Sequence, residues 1–150
     1  LAKFSGADRR FQYKGKLENG TVIIDDYAHH PTEIAASLNA ALHYPHKRII
    51  VCFQPHTYTR TKAFLQDFIK SLSIADVIVL ADIYAAREQD IYGVSSQDIK
   101  DGLDAMGKEC YYFHTFDEIQ DWVEKNSMNG DLLITMGAGN IVNVGENLLK

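Results

Sequence analysis

Apolar residues come along the chain in two alternating rhythms, short β-branched runs and longer stretches with apolar positions three or four apart. TVIIDDY (residues 21–27) has the first rhythm. In PTEIAASLNAAL, which follows, Pro31 suits a first helical position and Ile34, Leu38 and Leu42 recur every fourth residue. RIIVCF (48–53) and DVIVLA (76–81) are continuous apolar runs, as in strands covered on both faces. Between them, after QPHTYTR, the residues Phe64, Leu65, Phe68, Ile69 and Leu72 predict one helix, capped by Thr59 or Thr61. Ser95 suits the N-cap of a helix carrying Ile99, Leu103 and Met106. CYYF (110–113) predicts a fourth strand, and Thr115 with Glu118 has capping-box spacing ahead of Ile119 and Val123. DLLITM (131–136) is a fifth strand, and GAGN leads from it into a last helix with Ile141, Val144 and Leu148.

Strand and helix alternating in this way predict an α/β fold, a Rossmann-like doubly wound and mostly parallel sheet with helices on both faces. The Asn19-Gly20 turn signal inside RRFQYKGKLENGTVII adds an N-terminal hairpin or antiparallel edge strand. No repeat, low-complexity tract or linker divides the chain, so residues 1–150 are expected to be one domain. The opening LAKFSGADRRF lacks a methionine and reads as the start of a piece of a longer protein.

Composition narrows the function classes. With 46% hydrophobic and 23% charged residues the chain has ordinary globular content. A net charge of −5 argues against a nucleic-acid-coating protein, and any anion must be held by local Arg and Lys side chains. No run approaches the ~20 apolar residues of a membrane span. Cys52 and Cys110 sit in apolar strand-like runs, which suits buried thiols and a reducing cytoplasm.

Ligands of such sheets bind beyond the carboxyl ends of the strands. That rule selects DDYAHHP, FQPHTYTR, DIYAARE, FHT and MGAGN, and most of these are richer in ionisable or glycine residues than the turns at the opposite end. Asp25 or Asp26 can accept from a ribose diol, Tyr27 offers a flat body with a polar tip, and His29 and His30 can donate to an anion or relay a proton. Asp25 and His30 read equally as helix-capping residues. In the second loop Arg60 is a fork for a carboxylate, with His56 four residues before it as a second donor. A cation at a helix start is disfavoured by the helix dipole, so Arg60 predicts an anion nearby. MGAGN lacks a full G-x-G-x-x-G and suits close packing as well as phosphate. Arg87 and Glu88 are expected to pair with each other, and Tyr84 to lie over a ligand. His43, His46 and His114 are expected at the surface. Adjacent histidines rarely both ligate one ion, and His29, His30, Asp26 and His56 match no zinc spacing, so no metal site is expected.

DDYAHHPTEI, FQPHTYTRT, DIYAARE and MGAGNI, in this order and spacing, resemble the C-terminal domain of the Mur ligase family of peptidoglycan synthesis. FSGADRRF is similar to the segment leading into that domain, so the resemblance covers essentially the whole chain. It implies a bacterial, cytoplasmic three-domain ligase whose N-terminal domain holds a UDP-sugar and whose central P-loop domain holds ATP and Mg2+. This C-terminal domain would then bring the amino acid. The implied reaction joins L-alanine to UDP-N-acetylmuramate through an acyl phosphate, with neither nucleic acid nor membrane as partner.

By the same resemblance, Arg10 reaches the ATP phosphates on closure and Asp26 holds the ribose. Tyr27, His29, His56 and Arg60 line the pocket for alanine and the sugar's carboxylate. The absence of G-x-x-x-x-G-K-[ST] from the chain agrees with a P-loop carried elsewhere. Thr57 departs from the pattern, since some members carry a second basic residue there, which leaves carboxylate binding to Arg60. A related ligase that recycles a murein tripeptide shares the DD-aromatic-A-H-H-P pattern, and FQPHTYTRT favours the alanine-adding enzyme. A non-catalytic nucleotide-binding module is the reading from another class.

Overall fold

The computed structural model describes residues 10–150. It contains a six-stranded sheet in the order β1-β2-β6-β3-β4-β5. The strands are β1 (Gln12–Lys16), β2 (Val22–Asp26), β3 (Arg48–Phe53), β4 (Val77–Leu80), β5 (Glu109–Tyr112) and β6 (Asp131–Met136). The helices are α1 (Pro31–Ala41), α2 (Tyr58–Ala63), α3 (Leu65–Leu72), α4 (Ser96–Ala105), α5 (Phe116–Asn126) and α6 (Val142–Leu148). Residues 4–9 of FSGADRRF lie outside the described residues.

The expected N-terminal hairpin is present: β1 runs antiparallel to β2, with Gly20 at φ +98° in the turn. All other pairings are parallel. Alternation along each strand sorts the sheet's side chains between two cores. Ile24, Val51, Phe53, Ile78, Leu80 and Ile134 face Ile34 and Leu38 of α1, Phe68 and Leu72 of α3, and Ile99 and Leu103 of α4. Ile23, Ile50, Cys52, Val79 and Leu133 face Ile119 and Val123 of α5 and Val144 of α6. Each such fully buried aliphatic side chain contributes roughly 1.5–3 kcal/mol, which is why the central strands carry no polar residues until their ends.

Chain direction across the sheet reverses after β5, when α5 returns the chain to place β6 between β2 and β3. The loop leaving β6 therefore heads for one face while those leaving β2 and β3 head for the other. This opens a crevice at the carboxyl ends of β2, β6 and β3, the place the topology rule selects. At the opposite end Arg48 grips the buried Asp131 with two hydrogen bonds of 3.0 and 2.7 Å, tying the starts of β3 and β6 together.

Two local expectations are corrected. The single helix expected over residues 64–72 begins earlier and breaks at Phe64, whose backbone (φ −116°, ψ 27°) separates α2 from α3. The Phe64 ring is exposed and lies 5.2 Å from His30, so Phe68, Ile69 and Leu72 carry the buried face without it. The cap is Thr57, neither Thr59 nor Thr61: its Oγ1 accepts from Arg60 N at 3.3 Å. The Thr61 hydroxyl turns back to Thr57 O at 2.8 Å. The thiols of Cys52 and Cys110 are free and buried, and burial pushes each up to about 12.

Candidate functional site

The loop after β2 is organised by its own polar residues. Asp25 is buried, and its Oδ1 accepts from the Thr135 hydroxyl at 2.8 Å, so it serves the β2–β6 seam. Asp26 is buried as well, with Oδ1 accepting from Ala28 N at 2.9 Å and Oδ2 from Phe11 N at 3.1 Å. This carboxylate therefore ties the residue after Arg10 to the end of β2. His30 is the N-cap of α1, accepting from Thr32 N at 3.3 Å, and Glu33 completes a capping box.

Glu33 also reaches out of the cap. Its Oε1 accepts from His29 N and His30 N, each at 3.2 Å, and lies 3.6 Å from His29 Nδ1. Its Oε2 pairs with Arg10 at 3.3 Å. Partial burial opposes its charge, but the two amides and the nearby His29 and Arg10 hold it below the usual glutamate value.

His29, His56, Tyr27 and Tyr84 form a run of rings across three loops. Tyr27 meets His29 edge-on at 5.3 Å between centroids, His29 lies 5.8 Å from His56, and Tyr84 stacks on His56 at 5.6 Å and 19°. Arg60 lies 3.2 Å from Nδ1 of His56. Arginine has no acceptor, so Nδ1 accepts and neutral His56 carries its proton on Nε2. At His29 the nearest groups to Nδ1 are acceptors, Tyr27 O at 3.1 Å and the Glu33 carboxylate, so Nδ1 carries the proton. The two imidazoles thus take opposite tautomers. Desolvation, then Arg60 and His29, lower the His56 pKa from its ordinary value, with Glu88 opposing them.

Four of the predicted site residues, Tyr27, His29, His56 and Arg60, are therefore contiguous. Arg10 and Asp26 adjoin them on the β2 side, Arg10 through Glu33 and Asp26 through the backbone of Phe11. Tyr84 stacks on His56 and remains 39% exposed. His114 is exposed and pairs with Asp82 at 3.0 Å; His43 is exposed, and His46 is half-buried against Tyr44 O. Among the described residues no group of three or more His, Cys, Asp or Glu side chains is placed to hold a metal ion.

Two contributors were not assigned these roles from sequence. Gln54, 5% exposed, donates from Nε2 to Asn140 Oδ1 at 2.9 Å, and its Oε1 accepts from Ile141 N at 3.2 Å. A Cβ on Gly137 would meet Gln54 O at 2.9 Å, and one on Gly139 would meet the Tyr84 ring at 2.9 Å. The glycines of MGAGN thus allow close packing against the loops after β3 and β4. Glu88 does not pair with Arg87; its Oε1 accepts from Tyr58 N at 2.6 Å and Thr59 N at 3.1 Å. Glu88 thus places a carboxylate at the N-terminal end of α2, where the helix dipole favours negative charge. A capping acid 30 residues from its helix leaves no local sequence signal.

Residues 9–139 match the family described as Mur ligase, glutamate ligase domain. The chain is 67% identical over its full length to a UDP-N-acetylmuramate–L-alanine ligase of Agathobacter rectalis and 56% identical to one of Lachnospira eligens. It spans 32% of the length of each. The structure is similar to a UDP-N-acetylmuramate-alanine ligase from Thermotoga maritima, with TM-score 0.75 and 28% identity over 94% of this chain and 29% of that one. A murein peptide ligase from Psychrobacter arcticus gives TM-score 0.74 at 20% identity over the same shares, a likeness of fold.

Proposed function

The chain belongs to the Mur ligase family, and on that premise we propose that it is the C-terminal, amino-acid-binding domain of a cytoplasmic, ATP-dependent ligase that joins L-alanine to UDP-N-acetylmuramate. The observation that carries the reading is the contiguity of Tyr27, His29, His56 and Arg60 at the crevice where the sheet changes direction. A carboxylate placed there meets the Arg60 fork and the Nε2–H of a neutral His56, two donors of the kind such a ligand needs. The high identity to alanine-adding relatives supports that substrate over a tripeptide.

In this reading ATP and Mg2+ are held mainly by the part of the ligase outside this chain; ATP would supply the phosphoryl group that activates the sugar's carboxylate, leaving ADP, and Mg2+ would neutralise phosphate charge. The chain carries no P-loop, and in this reading its own part is to bind and orient. Arg60 and His56 fix a carboxylate and Tyr27 walls the alanine. The α-ammonium of alanine must lose a proton before it can attack. His29, with Nδ1 donating, has Nε2 available to accept that proton. The amine then forms the C–N bond through a tetrahedral intermediate, and the C–O bond to phosphate breaks. Arg10 meets the ATP phosphates when the domains close, and Asp26, buried under the Phe11 and Ala28 amides, reaches the ribose only if the Phe11 amide gives way.

The test is turnover of the full-length ligase with UDP-N-acetylmuramate, ATP and either L-alanine or the murein tripeptide, read as phosphate release. Alanine is expected to be the faster substrate. Faster turnover with tripeptide assigns the chain to the recycling enzyme, and none with either leaves the non-catalytic module. The isolated chain is expected to form no amide bond.

A further inference from the structure

We propose that Glu88 is a positioning residue for the Arg60–His56 pair, holding the start of α2 in the geometry that brings the two side chains together. The proposal rests on the site reading above. Arg60 follows directly on Thr59, and His56 lies two residues before Tyr58, so the amides that Glu88 binds belong to the short stretch of chain that joins the two residues. The Thr59 hydroxyl adds a third hydrogen bond, to Oε2. That contact, with the two amides, keeps the carboxylate ionised.

The loop carrying Glu88 is built to deliver it. Ala86 takes φ +58°, and Glu88 N donates to Ala85 O at 2.9 Å, which turns the chain back toward α2. Upstream the same loop is stitched to the β3 loop, with Tyr84 N donating to Pro55 O at 2.8 Å and Thr57 N to Tyr84 O at 2.9 Å. Thr57 sits at φ +68° and ψ 145°, a conformation that a β-branched residue keeps only when its surroundings hold it. The Tyr84 strap holds it from one side and the Glu88 cap from the other. If Thr57 relaxed to negative φ, His56 would rotate relative to Arg60 and their 3.2 Å contact would open.

Steady-state kinetics of the full-length ligase test this, with KM measured separately for L-alanine, UDP-N-acetylmuramate and ATP. Glu88→Ala is expected to raise about tenfold the KM that Arg60→Ala raises, a change of about 1.4 kcal/mol, with the ATP KM unchanged. Glu88→Gln, whose amide oxygen still accepts from the two N–H groups, is expected to recover most of the loss. The double variant Glu88→Ala/Arg60→Ala is expected to be no worse than Arg60→Ala alone. Additive losses, an equal rise in the ATP KM, or no recovery by Glu88→Gln would overturn the proposal. Should Glu88→Ala not fold, Thr59→Val removes only the hydroxyl contact, and an unchanged KM there overturns it equally. Impairment by Arg60→Ala with none by Glu88→Ala defeats this proposal alone, whereas silence of both defeats the site reading beneath it.

Discussion

Arg60 donates to Nδ1 of His56 across 3.2 Å, which makes the histidine an acceptor and fixes its proton on Nε2. The contact links two side chains four residues apart on a turn that the sequence alone leaves undefined. Added to desolvation, it lowers the His56 pKa, and it sets which nitrogen His56 presents to a ligand.

His56 is expected to titrate below the ordinary histidine value of about 6.5. Desolvation and the neighbouring Arg60 cation both disfavour its protonated form. Between the lowered folded value and ~6.5 the unfolded chain binds more protons, so His56 contributes stability that is fully present above ~6.5 and is lost as pH falls through the folded value. NMR titration of the imidazole carbons reads the midpoint. Arg60→Ala removes a repelling cation and should move it upward; a downward move would contradict the contact.

Arg60→Ala should raise the KM for UDP-N-acetylmuramate or alanine about ten- to a hundredfold, the equivalent of a charged hydrogen bond of ~1.5–3 kcal/mol. The fold should persist, because the Arg60 side chain contributes to neither core. Kinetics alongside a thermal melt separate the two effects, and an unchanged KM removes Arg60 from the site.

Gln54→Leu keeps the side chain's approximate size while removing both hydrogen bonds that clamp residues 137–141. It leaves the buried Ile141 N–H without its Oε1 acceptor, so a loss of about 1–3 kcal/mol is expected in urea denaturation. A midpoint equal to that of the unsubstituted chain would show that the clamp is dispensable.

Thr57 permits a comparison of two small replacements. Glycine tolerates φ +68° freely whereas alanine does not, and both lose the Oγ1 cap on Arg60 N. Thr57→Gly should therefore melt above Thr57→Ala by a few degrees, a difference of about 1 kcal/mol. The reverse order would mean that the backbone strain is not borne at this residue.

Much of the architecture was legible because it depends on local signals. The runs RIIVCF and DLLITM became β3 and β6 with their bounds unchanged, since continuous apolar residues have nowhere to go but a doubly covered sheet. Thr115 and Glu118 formed the expected capping box, and Ser95 is the expected N-cap, with Asp98 closing a box beyond that expectation. The Phe64 break was not legible, because its spacing fits a helical face while its ring packs on His30. Arg60 stands out by its place near a helix start, whereas Glu88, the carboxylate that caps that helix, comes from another loop and carries no local signal.

The sequence by itself determined the alternation of strand and helix, the sheet class, and which loops hold the chemistry, because period and capping act over a few residues. Asp25 or Asp26, Tyr27, His29, His30, His56 and Arg60 could be nominated from residue type and place, and the family resemblance narrowed the adjacent Asp and His pairs to Asp26 and His29. Only the tertiary structure decided which of them meet. Placing β6 beside β3 brings Gln54 to MGAGN, pairing β4 with β3 brings Glu88 to the start of α2, and the loops leaving β2 and β3 meet across the end of β6 as His29 and His56. These contacts join residues about 30 to 90 positions apart, and partnerships at such range follow from the order of strands in the sheet.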